Sequence, residues 1–240
     1  MADVDLTPQA AERGGSRPLG GYLARPEGAG PWPGAVMLHE AFGLNDVIRR
    51  QADRLARAGY LTLAVDLFSA GGAVRCLVAT MRAMVSGRGR AFADIAAARD
   101  WLTASPDCTG KVGVIGFCLG GGFALLTANT GFDAASVNYG QLPRDPDTAL
   151  AGACPVVGSY GGRDGSLRNA SARLEAALTR AGVVSDVKEY PTAGHSFLND
   201  AEVGPAPIRR LLRVTGAGPE PEAAADAWRR IESFFGEHLR

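Results

Sequence analysis

Residues 111–122 read Lys111-Val112-Gly113-Val114-Ile115-Gly116-Phe117-Cys118-Leu119-Gly120-Gly121-Gly122, an apolar run that breaks on glycines around a single cysteine. The pattern predicts a strand over 111–115 and a helix over 119–129, joined by a turn tight enough to lift the Cys118 side chain clear of the backbone. Glycines flanking such a turn avoid the clashes that a Cβ would make. The first N–H groups of the helix and its positive dipole end favour negative charge, on the sulfur itself or on an oxygen of the group it attacks. Cys118 therefore reads as a nucleophile on an elbow. The bland alternative is a small buried cysteine in a glycine-rich β–α turn, since free cysteine is among the most buried residue types. The motif alone leaves both readings open, and context decides between them.

Outward from the elbow, strands alternate with helices, the signature of a parallel sheet covered on both faces. Short buried strands are expected at 34–39, 60–65, 134–139, 155–160 and 184–190. Helices are expected at 45–58, 74–86, 90–104, 167–181 and 222–239. Asn45 or Asp46 is the N-cap of the first of these and Gly59 its stop, while Gly182 stops the fourth. The stretch 200–221 is rich in Gly, Pro and Ala and reads as an irregular connection or a lid. No internal repeat or low-complexity linker divides residues 1–240, so a single domain is expected.

Composition narrows the class of partner. At 240 residues and 46% hydrophobic the chain can bury one large core. Its 25 Lys and Arg balance its 25 Asp and Glu, leaving no global field for nucleic acid or an anionic membrane. A small neutral or modestly charged molecule is the expected ligand. The opening Met1-Ala2-Asp3-Val4-Asp5 is no basic leader, and no eighteen apolar residues stand together, which predicts a cytoplasmic protein. The four cysteines show neither C-x-x-C pairing nor metal-ligand spacing and read as reduced thiols. Cys76 falls in a helical stretch, Cys108 in a polar loop and Cys154 at the start of an apolar strand. Only Cys118 has a catalytic setting.

In parallel sheets, ligands bind beyond the carboxyl ends of the strands, and three polar residues fall at such ends. Cys118 follows the elbow strand, Asp164 follows strand 155–160, and His195 follows strand 184–190. The order nucleophile, acid, histidine is that of the α/β-hydrolase fold, with His195 as base and Asp164 as its orienter. Taken singly, Asp164 is also a good turn aspartate capping the next helix, and His195 a surface-loop histidine.

Together the motifs His39-Glu40-Ala41-Phe42-Gly43-Leu44-Asn45, Gly59-Tyr60, Asp66-Leu67-Phe68, Gly116-Phe117-Cys118-Leu119-Gly120-Gly121, Gly161-Gly162-Arg163-Asp164 and Gly194-His195-Ser196-Phe197 resemble the dienelactone hydrolase (carboxymethylenebutenolidase) family over about residues 20–200 and the closing helix. The resemblance implies an α/β-hydrolase fold, a mostly parallel sheet flanked by helices on both faces. It implies a Cys118–His195–Asp164 triad that opens a lactone or cleaves an ester through a thioester acyl-enzyme, without metal or organic cofactor. It further implies that Glu40 helps to deprotonate the thiol once substrate displaces it, although a strand-end glutamate paired with an arginine is the plainer reading. The oxyanion hole would be the backbone N–H groups of Leu119 and Ala41.

Substrate-binding positions follow the family less closely. One of its two carboxylate-gripping arginines would stand four residues beyond the catalytic histidine, where this chain has Asn199. The other corresponds to Arg75 or Arg82, each of which also reads as a helix-surface arginine. Ser196 and Tyr139 match positions near the ligand, and both also suit structural roles. The expected partner is a small lactone or ester, with no nucleic acid or membrane partner and a monomeric or homodimeric state. The alternatives are a general esterase or thioesterase with the same triad, or a slow-turnover receptor that keeps the pocket.

Overall fold

The computed structural model of the chain describes residues 2–202, 204, 209–210 and 216–240. Eight strands form one sheet: β1 (Ala2–Asp5), β2 (Gly20–Ala24), β3 (Trp32–Leu38), β4 (Leu61–Asp66), β5 (Cys108–Phe117), β6 (Ala134–Asn138), β7 (Val156–Gly161) and β8 (Ser185–Tyr190). Their spatial order is β1-β2-β4-β3-β5-β6-β7-β8. β2 runs antiparallel to both its neighbours, and every pairing from β4 to β8 is parallel. The described helices are α1 (Thr7–Glu12), α2 (Asp46–Arg57), α3 (Gly72–Ser86), α4 (Arg90–Thr103), α5 (Leu119–Thr127), α6 (Pro146–Ala149), α7 (Ala170–Arg180) and α8 (Pro221–Leu239). This is the α/β-hydrolase fold.

The central strands are buried along nearly their whole length, as the two covered faces of a parallel sheet require. Alternation with period two divides their side chains between two cores. Val36, Leu38 and Val114 pack with residues of α3, α4, α5 and α7, whereas Ala35, Met37, Ile115 and Phe117 pack under α2 and α8. α2 begins where the sequence predicts, because the Asn45 side chain accepts from the Val47 and Ile48 N–H groups at 3.0 and 3.2 Å.

Four described elements escape sequence reading. β1 is only four residues long and mostly exposed, α1 has a proline in its first turn, β2 (Gly-Gly-Tyr-Leu-Ala) opens on two glycines, and α6 is a single turn of four residues. The elbow strand is longer than the expected 111–115. Cys108 is its first residue, paired with Trp32, rather than part of a polar loop. The 200–221 stretch, read as a connection or lid, lies in large part outside the described residues. Among those described, no helix is long and apolar enough to cross a membrane.

Register brings the strand ends together. In the β3/β5 ladder Leu38 stands opposite Gly116, so Glu40 and Cys118 both lie two residues beyond that pair. The adjoining ladders pair Phe117 with Asn138, Asn138 with Ser159, and Gly161 with Tyr190, so Tyr139, Asp164 and His195 follow at the same edge. The first turn of α5 packs directly on this edge. A Cβ at Gly120 would stand 2.2 Å from the Leu38 carbonyl oxygen, and one at Gly116 would stand 2.0 Å from that of Gly120. His39 clips β3 to β4: its Nδ1 bonds the Glu40 carbonyl at 2.6 Å, and its Nε2 accepts from the Leu67 N–H at 3.1 Å. Burial holds the His39 pKa below its ordinary value, consistent with a neutral structural imidazole.

Because the atoms facing Gly120 are main chain and cannot swing aside, Gly120→Ala should lower the unfolding free energy by about 3 kcal/mol or more. Gly165→Ala, where a Cβ meets nothing within 4 Å, should change it by less than about 0.5 kcal/mol. Urea denaturation of the two variants checks the contrast.

Candidate active site

Cys118 sits at the junction of β5 and α5 with φ 53° and ψ −112°, a conformation that L-residues rarely adopt. Such strain costs on the order of 1–3 kcal/mol and persists only when the surroundings enforce it. They do so here. The Cys118 N–H donates to the Asn138 carbonyl at 3.0 Å, and its own carbonyl accepts from the Gly122 N–H at 3.1 Å. The thiol is left partly exposed at the start of α5.

Asp164 and His195 come from the turns after β7 and β8. Asp164 is buried, and its two oxygens have different partners. Oδ1 accepts from the Ser166 N–H at 3.0 Å and from the Ser166 hydroxyl at 2.6 Å, and Oδ2 faces His195 Nδ1 at 2.5 Å. The turn role and the orienting role thus coexist in one carboxylate. Ser166 was not singled out from the sequence, although Asp164-Gly165-Ser166 carries the signal of an Asx turn.

His195 joins Asp164 to Cys118. Burial opposes charge on the imidazole, but its hydrogen bonds to Asp164 and Cys118 and their charges outweigh that penalty, and its pKa is raised to about 10. Asp164 is held below its ordinary value: burial pushes it up, and the His195 and Ser166 hydrogen bonds more than offset this. With Nδ1 committed to Asp164, Nε2 is the nitrogen left for Cys118. Tyr139, at φ 40°, lays its ring 5.1 Å from the His195 ring. Burial, together with the charges of Glu40 and Cys118, pushes the Tyr139 phenol well above its ordinary value.

Cys118, His195, Ala41, Leu119 and Tyr139 line one cleft of about 330 Å³. Its remaining wall is Leu77, Met81 and Met84 of α3 with Gln141, Ser166 and Leu167; no lysine or arginine is among the described lining residues. The α3 side chains carry no site signal in the sequence, because a helix flanking the sheet does not show which strand ends it overhangs. The N–H groups of Ala41 and Leu119 carry no hydrogen bond among the described residues, so both remain free to donate.

Other expected residues fall elsewhere. Glu40 is buried, and its partner is not an arginine but Asn199, whose amide donates to Oε2 at 3.1 Å. Asn199 is itself buried and is absent from the cleft lining. Ser196, at φ 60°, lines a small separate cavity with Asn199 and Arg209. Arg75 is exposed on α3 outside the cleft, and Arg82 borders another cavity between α3 and α4. The structure therefore does not bring Arg75, Ser196 or Asn199 to the thiol, since side chains that share a segment with a site need not share its face. Cys76 is buried, and burial pushes the Cys154 thiol up to about 12. Among the described residues, no group of three His, Cys, Asp or Glu could hold a metal ion.

Comparison with known proteins gives the family and the fold. The sequence profile of the Dienelactone hydrolase family matches residues 19–239. A "Putative carboxymethylenebutenolidase" of Yersinia pestis is 30% identical, covering 92% of this chain and 84% of its own. A protein of the same name from Methylorubrum extorquens is 31% identical, covering 90% of this chain and 76% of its own. The crystal structure of a dienelactone hydrolase-like promiscuous phosphotriesterase from metagenomic libraries superposes with a TM-score of 0.82. It is 28% identical and covers 100% of this chain and 98% of its own.

The pKa shifts have a definite sign. A histidine raised from 6.5 to about 10 adds stability that is complete below its unfolded pKa and disappears as pH rises through about 10. Asp164, held low, adds stability that is present above its ordinary value of 3.8 and lost on acidification. The stability gap between the native chain and Asp164→Asn should therefore be widest at about pH 4–6.5 and narrow towards pH 10 and above, as urea titrations at several pH values will read. Cys118→Ala should move the His195 titration downward, measured by NMR of the imidazole.

Proposed function

The chain belongs to the dienelactone hydrolase family and is a hydrolase, and from that premise we propose that it opens a lactone or cleaves a carboxylic ester through a thioester on Cys118. The observation that carries the reading is the 2.5 Å contact of Asp164 Oδ2 with His195 Nδ1, with Cys118 close enough to the same ring to raise its pKa, in a cleft that also presents two free N–H groups.

The steps follow from those positions. Cys118 Sγ attacks the carbonyl carbon with its proton already on His195 Nε2, where the raised pKa of that ring holds it, and the oxygen that gains charge is met by the Leu119 and Ala41 N–H groups. The tetrahedral adduct collapses, the bond to the alkoxy oxygen breaks, and the imidazolium returns its proton to that oxygen. Water then adds to the thioester with His195 as base, and loss of the thiolate releases the acid. Asp164 fixes the imidazole tautomer and stabilises its charged form throughout. Glu40, buried and near Tyr139, would be a second acceptor for the thiol proton.

Cleft chemistry supports a substrate that is uncharged around the scissile bond. Methionine and leucine side chains of α3 face the thiol, and the one family-like position that could replace a cation, Asn199, is turned onto Glu40. An apolar wall without a cation leaves a substrate carboxylate desolvated and unpaired, which costs several kcal/mol.

Mixing enzyme with a neutral nitrophenyl ester should give a burst of one nitrophenol per Cys118 and an acylated Cys118 peptide by mass spectrometry; binding without a burst would sink the hydrolase mechanism. Cys118→Ala and His195→Ala should each reduce kcat about 10³-fold or more. Met81 is half exposed at the rim and tolerates a longer side chain. Met81→Arg should therefore lower KM for a carboxylate-bearing lactone several-fold, on the order expected for one charge-assisted contact, relative to its uncharged counterpart. Steady-state kinetics on the two substrates measures the difference.

A further inference from the structure

Glu40 is anchored on one side only. Its Oε2 accepts from Asn199 Nδ2 at 3.1 Å, while Oε1 is buried and has no hydrogen-bond partner. The buried Tyr139 hydroxyl likewise has no partner of normal geometry, yet it stands near enough to Glu40 for a weak hydrogen bond to the carboxylate to help raise the phenol's pKa. An unsatisfied buried carboxylate oxygen is costly, and such groups in a native fold call for a reason.

The anchoring amide is itself oriented. Asn199 can present either an N–H or a carbonyl oxygen to Glu40, and only the first attracts a carboxylate. Gln51, on the buried face of α2, decides between them: its Nε2 donates to Asn199 Oδ1 at 2.9 Å and to the Leu198 carbonyl at 3.4 Å. With its oxygen occupied by Gln51, Asn199 has its N–H₂ left for Glu40. Both amides are at least nine-tenths buried, so water does not readily substitute for either bond.

We propose that Gln51 and Asn199 are positioning residues that act in series on Glu40, tying down Oε2 so that Oε1 stays open as a proton acceptor beside Tyr139 and the nucleophile. Gln51 sits well outside the catalytic turns, on a helix that sequence motifs assign only to packing. Its shorter bond is to the Asn199 side chain, through which it acts on Glu40. The proposal rests on the reading of Glu40 as an acceptor for the thiol proton, here already in the resting enzyme rather than only once substrate displaces it, and the readout below does not need the natural substrate.

The decisive measurement is the alkylation rate of Cys118 by iodoacetamide in Gln51→Met, Asn199→Asp and Asn199→Ala, each made in the native chain and in Glu40→Gln. Peptide mapping assigns the site, and thermal melting establishes that each variant is folded. Gln51→Met keeps the side-chain volume, and Asn199→Asp keeps the shape while placing an acceptor against an acceptor, so a fold defect in one leaves the other interpretable. In the native background we expect alkylation to slow about 3-fold for Gln51→Met and about 10-fold for the Asn199 variants, as loss of one and of the nearer bond predicts. In Glu40→Gln each rate should stay within about 2-fold of the parent, because residues acting through a third lose their effect when it is removed. Equal slowing in both backgrounds, no slowing, or acceleration would each overturn the proposal. A slowed, background-dependent alkylation in an enzyme that cleaves no ester would leave the relay standing and fault the assigned reaction instead.

Discussion

The approach of α5 to the end of β3 is the constraint on which the rest of the site depends. Parallel pairing of β3 with β5 sets Leu38 beside Gly116, and absence of side chains at Gly116 and Gly120 lets the first helical turn rest on main-chain carbonyls. That contact forces Cys118 into a left-handed conformation and aims its thiol out of the sheet. It also brings Ala41 and Leu119 to one cleft with the thiol, so the candidate nucleophile and both candidate oxyanion donors are set by one packing event rather than by three.

Electrostatics at the site is a contest that burial loses. Desolvation alone would strip the proton from His195 and place one on Asp164, yet the 2.5 Å contact between them and the nearby sulfur reverse both tendencies. The gain is local and specific: it requires Asp164 to be held from behind by Ser166, whose two hydrogen bonds leave only Oδ2 for the imidazole. His39 illustrates the opposite outcome. More deeply buried than His195 and only one residue from Glu40, it has no carboxylate on its ring nitrogens within hydrogen-bonding distance and serves as a neutral clip between strands.

Function and framework are divided between the two faces of the sheet. α3 brings an apolar wall to the thiol, with Met81 half exposed at its rim, and its Val78 and Val85 remain exposed beyond the cleft. On the other face, α2 contributes both core residues such as Ile48 and Leu55 and the polar Gln51, which reaches the site through Asn199. A helix that closes the core thereby also orients a carboxylate at the far end of a neighbouring strand.

Glycine spacing, apolar periodicity and caps such as Asn45 act over a few residues, and they make the alternation of strands and helices, the elbow at Cys118 and the order of candidate nucleophile, acid and histidine legible in the sequence. It also determined the family, through motifs that sit at successive strand ends. It was silent on β1 and β2, whose short, glycine-bearing stretches become strands only by pairing with β4 and each other. Tertiary structure alone decided that Asn199 turns onto Glu40 instead of into the cleft, that Arg75 points to solvent, and that Leu77, Met81 and Met84 overhang the thiol. The physical reason is range: which way a side chain faces depends on the register and packing of elements distant in the chain, and no local pattern encodes those contacts.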